Sequence, residues 1–134
     1  MKEPIFTGAG VAIVTPFIGE ELKINFELLE ELVNKQIENK TDAIIICGTT
    51  GESSTLDHEE HVEAIKCAVN AAGKRVPVIA GTGSNDTAYA VKLSNEAEKA
   101  GADALLCVTP YYNKTSQAGL IEHFTYLSER VSAP

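Results

Sequence analysis

Ala43-Ile44-Ile45-Ile46-Cys47-Gly48-Thr49-Thr50-Gly51-Glu52 decides how the rest of the chain is read. An unbroken apolar run, rather than an alternating one, marks a strand covered on both faces, as in a parallel sheet. The run stops abruptly in two hydroxyls set between two glycines. Glycines let backbone N–H groups approach a carboxylate or phosphate, and threonine hydroxyls add donors, so the segment has the chemistry of an anion grip. A helix opening at Asp57 would add its positive end. Taken alone, the segment reads as an ordinary polar strand-to-helix loop. Its weight comes from the comparable segments behind the other strands.

Three further apolar runs recur: Val11 to Val14, Val76 to Ala80 and Ala104 to Val108. Helical stripes separate them. Phe26, Leu29, Val33 and Ile37 follow Asn25 as N-cap. Val62, Ile65, Val69 and Ala72 lie between Asp57 and Gly73. Ala90, Leu93, Ala97 and Ala100 open near Asn85 or Asp86 and close at Gly101. Leu120, Phe124, Leu127 and Val131 start near Ser116. The order βαβαβαβα predicts an α/β fold, a parallel sheet with right-handed crossovers, in a single domain spanning 1–134.

Composition narrows the function. A net charge of −8 argues against binding nucleic acid or an anionic membrane surface, both of which favour clustered Lys and Arg. The start, Met1-Lys2-Glu3-Pro4, carries no leader pattern, and no stretch reaches the length of a membrane span. Three scattered cysteines read as free thiols in a reducing cytoplasm. His58 and His61 lie one helical turn apart without a third ligand, so no metal is expected, and both read as ordinary residues of a solvated helix.

In parallel α/β folds ligands bind beyond the carboxyl ends of the strands. Those ends carry Thr15-Pro16, the double-threonine loop, Gly81-Thr82-Gly83-Ser84-Asn85 and Thr109-Pro110-Tyr111-Tyr112-Asn113, whereas the opposite ends carry plain connectors. Gly81-Thr82-Gly83 is not a dinucleotide fingerprint, because Asp86 stands at the third glycine position; a turn is expected there instead. Tyr111 and Tyr112 have two readings from pattern alone. They pack a loop or an interface, or a phenol near a threonine hydroxyl passes a proton, with Thr49 and Tyr112 as the pair.

These motifs, in this order from about Phe6 to the last residue, resemble the dihydrodipicolinate synthase family, related to N-acetylneuraminate lyase among the pyruvate-dependent class I aldolases. The resemblance implies a (β/α)8 barrel that condenses pyruvate with aspartate semialdehyde on the route to lysine, through a lysine Schiff base and with no added cofactor. It implies that Thr50 and Thr49 bind the pyruvate carboxylate. Thr49 and Tyr112 are implied as catalytic members of a proton relay, with Tyr112 reaching into a neighbouring subunit and Tyr111 at the same interface. It implies a regulatory lysine site at Ser54, His58, Asn85, Tyr89 and Tyr111, although Tyr89 stands where inhibited members carry an acid.

A complete barrel of this kind needs about 250 residues. The family's relay tyrosine on strand 5 and Schiff-base lysine on strand 6 have no counterpart among these 134 residues. Of the lysines present, only Lys114 falls at the correct end of the sheet, on a loop that promises no desolvation. The expectation is an amino-terminal half-barrel of four βα units, inactive alone, whose open edges at the first and fourth strands close by homo-oligomerisation. A non-catalytic binding or scaffold module, or another member of the pyruvate-lyase superfamily, is the alternative.

Overall fold

The computed structural model describes residues 3–134; Met1 and Lys2, where the leader reading begins, lie outside them. Six strands and four helices follow in chain order: β1 Gly10–Ala12, β2 Phe17–Ile18, β3 Lys23–Ile24, α1 Phe26–Glu38, β4 Ala43–Ile46, α2 His58–Ala72, β5 Val78–Gly81, α3 Thr87–Ala100, β6 Ala104–Leu106 and α4 Gln117–Ser128. The main sheet has the order β1-β4-β5-β6, and every pairing in it is parallel. Four βα units wound in this way form part of a barrel.

Helix boundaries fall where the caps dictate. Asn25 accepts from the Leu28 amide, Asp86 from Ala88 and Tyr89, and Ser116 from Gly119. Asp57 and Glu60 form a capping box at α2. Gly73 and Gly101 end α2 and α3 in the left-handed region, which glycine enters without steric cost. The last helix stops at Ser128, short of the Val131 expected from its stripe.

The core lies between sheet and helices. Ile44 and Ile46 of β4 and Val78 of β5 are buried against Leu29 and Val33 of α1 and Ala64, Ile65 and Ala68 of α2. Each large side chain so buried contributes about 1.5–3 kcal/mol. The intervening Ile45 and Ile79, which point to the opposite face, are only half-covered. Coverage on both faces is therefore incomplete even in the central strands. The edges are barer still, with Val14, Leu106 and Val108 each about half exposed.

Two further differences concern the edges. Residues 17–24 form an antiparallel hairpin, with Phe17 opposite Ile24, which no apolar run in the sequence announces. It turns on Gly19, whose φ of 75° suits glycine. The outer edge of β6 is not wholly open. The Leu105 amide donates to the Pro134 carbonyl at 2.9 Å, and Glu98 holds the Ser132 and Ala133 amides. One backbone hydrogen bond and the Glu98 contacts thus tie the tail 132–134 beside β6.

Candidate active site

The double-threonine segment is built by a sequence of tight turns. Cys47 leaves β4 with φ 55°, Gly48 is extended, and Thr49–Gly51 forms one turn of 3-10 helix. Glu52 then reverses the chain with φ 53°, and Ser53–Thr55 adds a second such turn before the Asp57 cap. Gly51 donates to the Gly48 carbonyl and Glu52 to the Thr49 carbonyl, both at 3.0 Å. Among the described residues, the amides of Thr49 and Thr50 donate to no acceptor, and both residues are exposed. Two N–H groups and two hydroxyls therefore stand open at the carboxyl ends of the strands, the donor set a carboxylate requires.

The positive end of α2 does not join them, contrary to expectation. Asp57 and Glu60 satisfy each other's backbone amides, and Glu59 adds a third carboxylate to the first turn. That helix end is already neutralised by its own acids.

The glycines at β5 serve close approach rather than a turn. A Cβ on Gly81 would lie 2.2 Å from the Cys47 carbonyl oxygen, and one on Gly83 would lie 2.3 Å from the Val108 amide nitrogen. Neither has a positive φ. Their absence of side chain lets the ends of β4, β5 and β6 converge. Between these glycines Thr82 is fully buried and accepts from the Ser94 hydroxyl at 2.8 Å.

A cavity of about 540 Å³ opens beside the double-threonine turn, and Thr49, Ser54, Tyr89 and Tyr111 line it together. Thr49, one of the paired hydroxyls, thus shares a space with Tyr111 of the tyrosine-bearing loop. Asn85 is tied to that loop, since the Asn113 side-chain amide donates to the Asn85 carbonyl at 2.9 Å. His58 stands behind Tyr89. Its Nε2 lies 2.9 Å from the Glu96 carboxylate and its Nδ1 3.2 Å from the Tyr89 hydroxyl. The Glu96 carboxylate can only accept, so the His58 Nε2–H donates to it and Nδ1 faces the Tyr89 hydroxyl. Burial, then Glu96, Glu59, Asp57 and Tyr111, hold the Tyr89 phenol above its usual range, so it remains a donor at neutral pH.

His61 corrects the reading of a solvated helix. It is buried, lines the same cavity, and its Nε2 lies 2.8 Å from the Gly81 carbonyl, which accepts. Burial is the main cause holding the imidazole below its usual pKa, with His58 acting in the same direction and the Gly81 bond against it. Ser53 and Ser84 also line the cavity and were not singled out. The signal for His61 was its i, i+3 spacing from His58 on a helix whose apolar stripe includes Val62 and Ile65.

Thr50 and Tyr112 lie outside this cavity. Tyr112 is 95% exposed, with φ 68°, in the left-handed region that a bulky residue rarely enters. Among the described residues no hydrogen bond joins it to Thr49. Lys114 is exposed on the same loop, and nothing buries its ammonium. Cys47 is buried, which pushes its thiol up to about 12 and leaves it unreactive. Among the described residues no three His, Cys, Asp or Glu side chains converge as a metal site, and no helix is long and apolar enough to cross a membrane.

Comparison with known proteins agrees with this architecture. The chain is 65% identical over 130 residues to 4-hydroxy-tetrahydrodipicolinate synthase of Lachnoclostridium phytofermentans, covering 97% of this chain and 44% of the relative. Among solved structures, the chloride-inhibited dihydrodipicolinate synthase of Acinetobacter baumannii complexed with pyruvate superposes with a TM-score of 0.92 at 48% identity, over 95% of this chain and 43% of that one. The enzyme from Cyanidioschyzon merolae with lysine bound gives 0.91 at 39% identity, over 96% and 43%. The chain therefore spans less than half the length of the proteins it matches. The family model matches residues 5–134, and the chain belongs to the dihydrodipicolinate synthetase family.

Proposed function

We propose that these residues form the carboxylate-gripping amino-terminal half of an enzyme that condenses pyruvate with aspartate semialdehyde, in the cytoplasm, on the route to lysine. The observation that carries the reading is the pair of unpartnered amides and exposed hydroxyls at Thr49 and Thr50, where a parallel sheet presents its ligands. Thr50 holds the pyruvate carboxylate with its hydroxyl and amide. Thr49 adds a backbone donor and serves as the middle hydroxyl of a proton relay. Tyr112, exposed and held in a strained backbone, is the relay member offered to a neighbouring copy, with Tyr111 at the same contact. The cavity beside them is the regulatory cleft, with Ser54, His58, Asn85, Tyr89 and Tyr111 facing or supporting an amino-acid effector. Tyr89 supplies a neutral phenol where a carboxylate would pair with an ammonium, so lysine binds there weakly.

Turnover needs a Schiff-base lysine from outside these residues. Borohydride treatment of the 134-residue chain with pyruvate is expected to leave its mass unchanged, and mixing with the complementary four βα units of a relative to restore turnover. A covalent adduct on this chain alone would overturn the division of labour. Pyruvate titration followed by amide NMR tests the grip directly: shifts are expected at Thr49 and Thr50. Thr50→Val is expected to weaken binding by about 1–3 kcal/mol, the cost of an unpaired polar partner. Unchanged affinity removes Thr50 from the site. The half-exposed strand ends further support homo-oligomerisation through the sheet edges and the tyrosine loop, and a monomer by light scattering at micromolar concentration would exclude it.

A further inference from the structure

We propose that Thr15 is a positioning residue of the carboxylate site, clamping the double-threonine turn from the neighbouring strand; the proposal rests on the reading of Thr49 and Thr50 just given. Thr15 is buried, 4% exposed, and its Oγ1 donates to the Gly51 carbonyl at 2.7 Å. Gly51 is also held at its other end, where its amide donates to the Gly48 carbonyl. The two residues between those anchors are Thr49 and Thr50. With both ends of the turn fixed, their amides cannot rotate inward to find backbone acceptors, and they remain aimed at solvent.

Two local features make Thr15 a rigid clamp. Pro16 restricts the backbone of the residue before it, and the Pro16 carbonyl is itself held by the Asn25 amide at 2.9 Å. The turn packs closely on this strand, because a Cβ on Gly51 would meet the Ile13 carbonyl oxygen at 3.1 Å and Thr15 Oγ1 at 3.3 Å. The same dipeptide recurs as Thr109-Pro110, and there the threonine is exposed. Burial against Gly51, not the Thr-Pro pattern, gives Thr15 its role. The hydroxyl is spent on the carbonyl, so Thr15 acts on a ligand only through the turn.

Thr15→Val removes the donor at nearly constant shape, and Thr15→Ser retains it. In Thr15→Val, hydrogen exchange of the Gly51 amide should quicken about tenfold relative to that of Ile46 in the core, and pyruvate affinity should fall about tenfold. Thr15→Ser should restore both to near the unaltered values, which a merely space-filling role would not require. Thr15→Ala gives the same comparison should the valine variant not fold. Exchange at Gly51 unchanged relative to Ile46 overturns the clamp. Faster exchange with unchanged pyruvate affinity overturns its part in binding. Absence of pyruvate-induced shifts at Thr49 and Thr50 in the unaltered chain overturns the carboxylate reading and Thr15's role toward that ligand, while the exchange ratio still judges the clamp.

Discussion

The two ends of the same four strands are built to opposite rules. At the amino ends, carboxylates tie neighbouring strands together: Asp42 accepts from the Ala9 amide, Asp103 from the Val78 amide, and Lys74 pairs with Asp103 at 2.9 Å. The left-handed residues there, Lys40 and Lys74, follow helix ends, where such a conformation is an ordinary stop. At the carboxyl ends, Cys47, Glu52, Tyr112 and Lys114 take the same conformation inside loops, and donors are left unpartnered. One end spends its polar groups on holding the fold. The other keeps them available, and strain there persists because the packed strands beneath over-determine it.

The comparison is tested most severely beneath the site. Ile44→Ala, at a fully buried position in β4, is expected to cost about 2–5 kcal/mol in urea unfolding. A cost no larger than that of a surface change would mean that the central strands do not support the loops. Next comes the amino end. Asp103→Ala leaves the Val78 amide without its partner and removes the Lys74 ion pair, and is expected to cost about 1–3 kcal/mol by the same measurement. At the carboxyl end, Tyr112→Gly should leave the urea midpoint unchanged or slightly raised, because the side chain is exposed and glycine relieves the left-handed backbone. A lowered midpoint would show that Tyr112 belongs to the packed fold after all.

The smallest expected effect is in pH dependence. His61 has a folded pKa lowered from 6.5, chiefly by burial, so the folded chain binds fewer protons there than the unfolded chain. Its contribution to stability is whole above the unfolded value and is lost as pH falls through the lowered folded one. Unfolding curves below pH 6.5 should therefore lose part of their acid slope in His61→Asn. An unchanged slope would assign the acid sensitivity to other groups.

Much of this was legible in the residues. Asn25, Asp57, Asp86 and Ser116 announce helix starts, and Gly73 and Gly101 announce stops, because each acts on backbone within a few positions of itself. The short hairpin over residues 17–24 was not legible, since two-residue strands carry too little pattern to register. Gly81 and Gly83 were read as turn glycines because local sequence cannot show which backbone will pass within van der Waals reach. From sequence His61 reads as solvated, because its partner, the Gly81 carbonyl, lies 20 positions away.

The order and spacing of apolar runs, caps and glycines determined by themselves that this chain winds four parallel βα units, with its hydroxyl- and glycine-rich loops at one end. That information is local, and short-range sterics and capping bonds express it wherever the segment sits. Only the tertiary structure decided which donors stay free. Whether an amide faces a ligand or a neighbour depends on contacts such as Thr15 to Gly51, 36 residues apart, which exist only once the strands have come together.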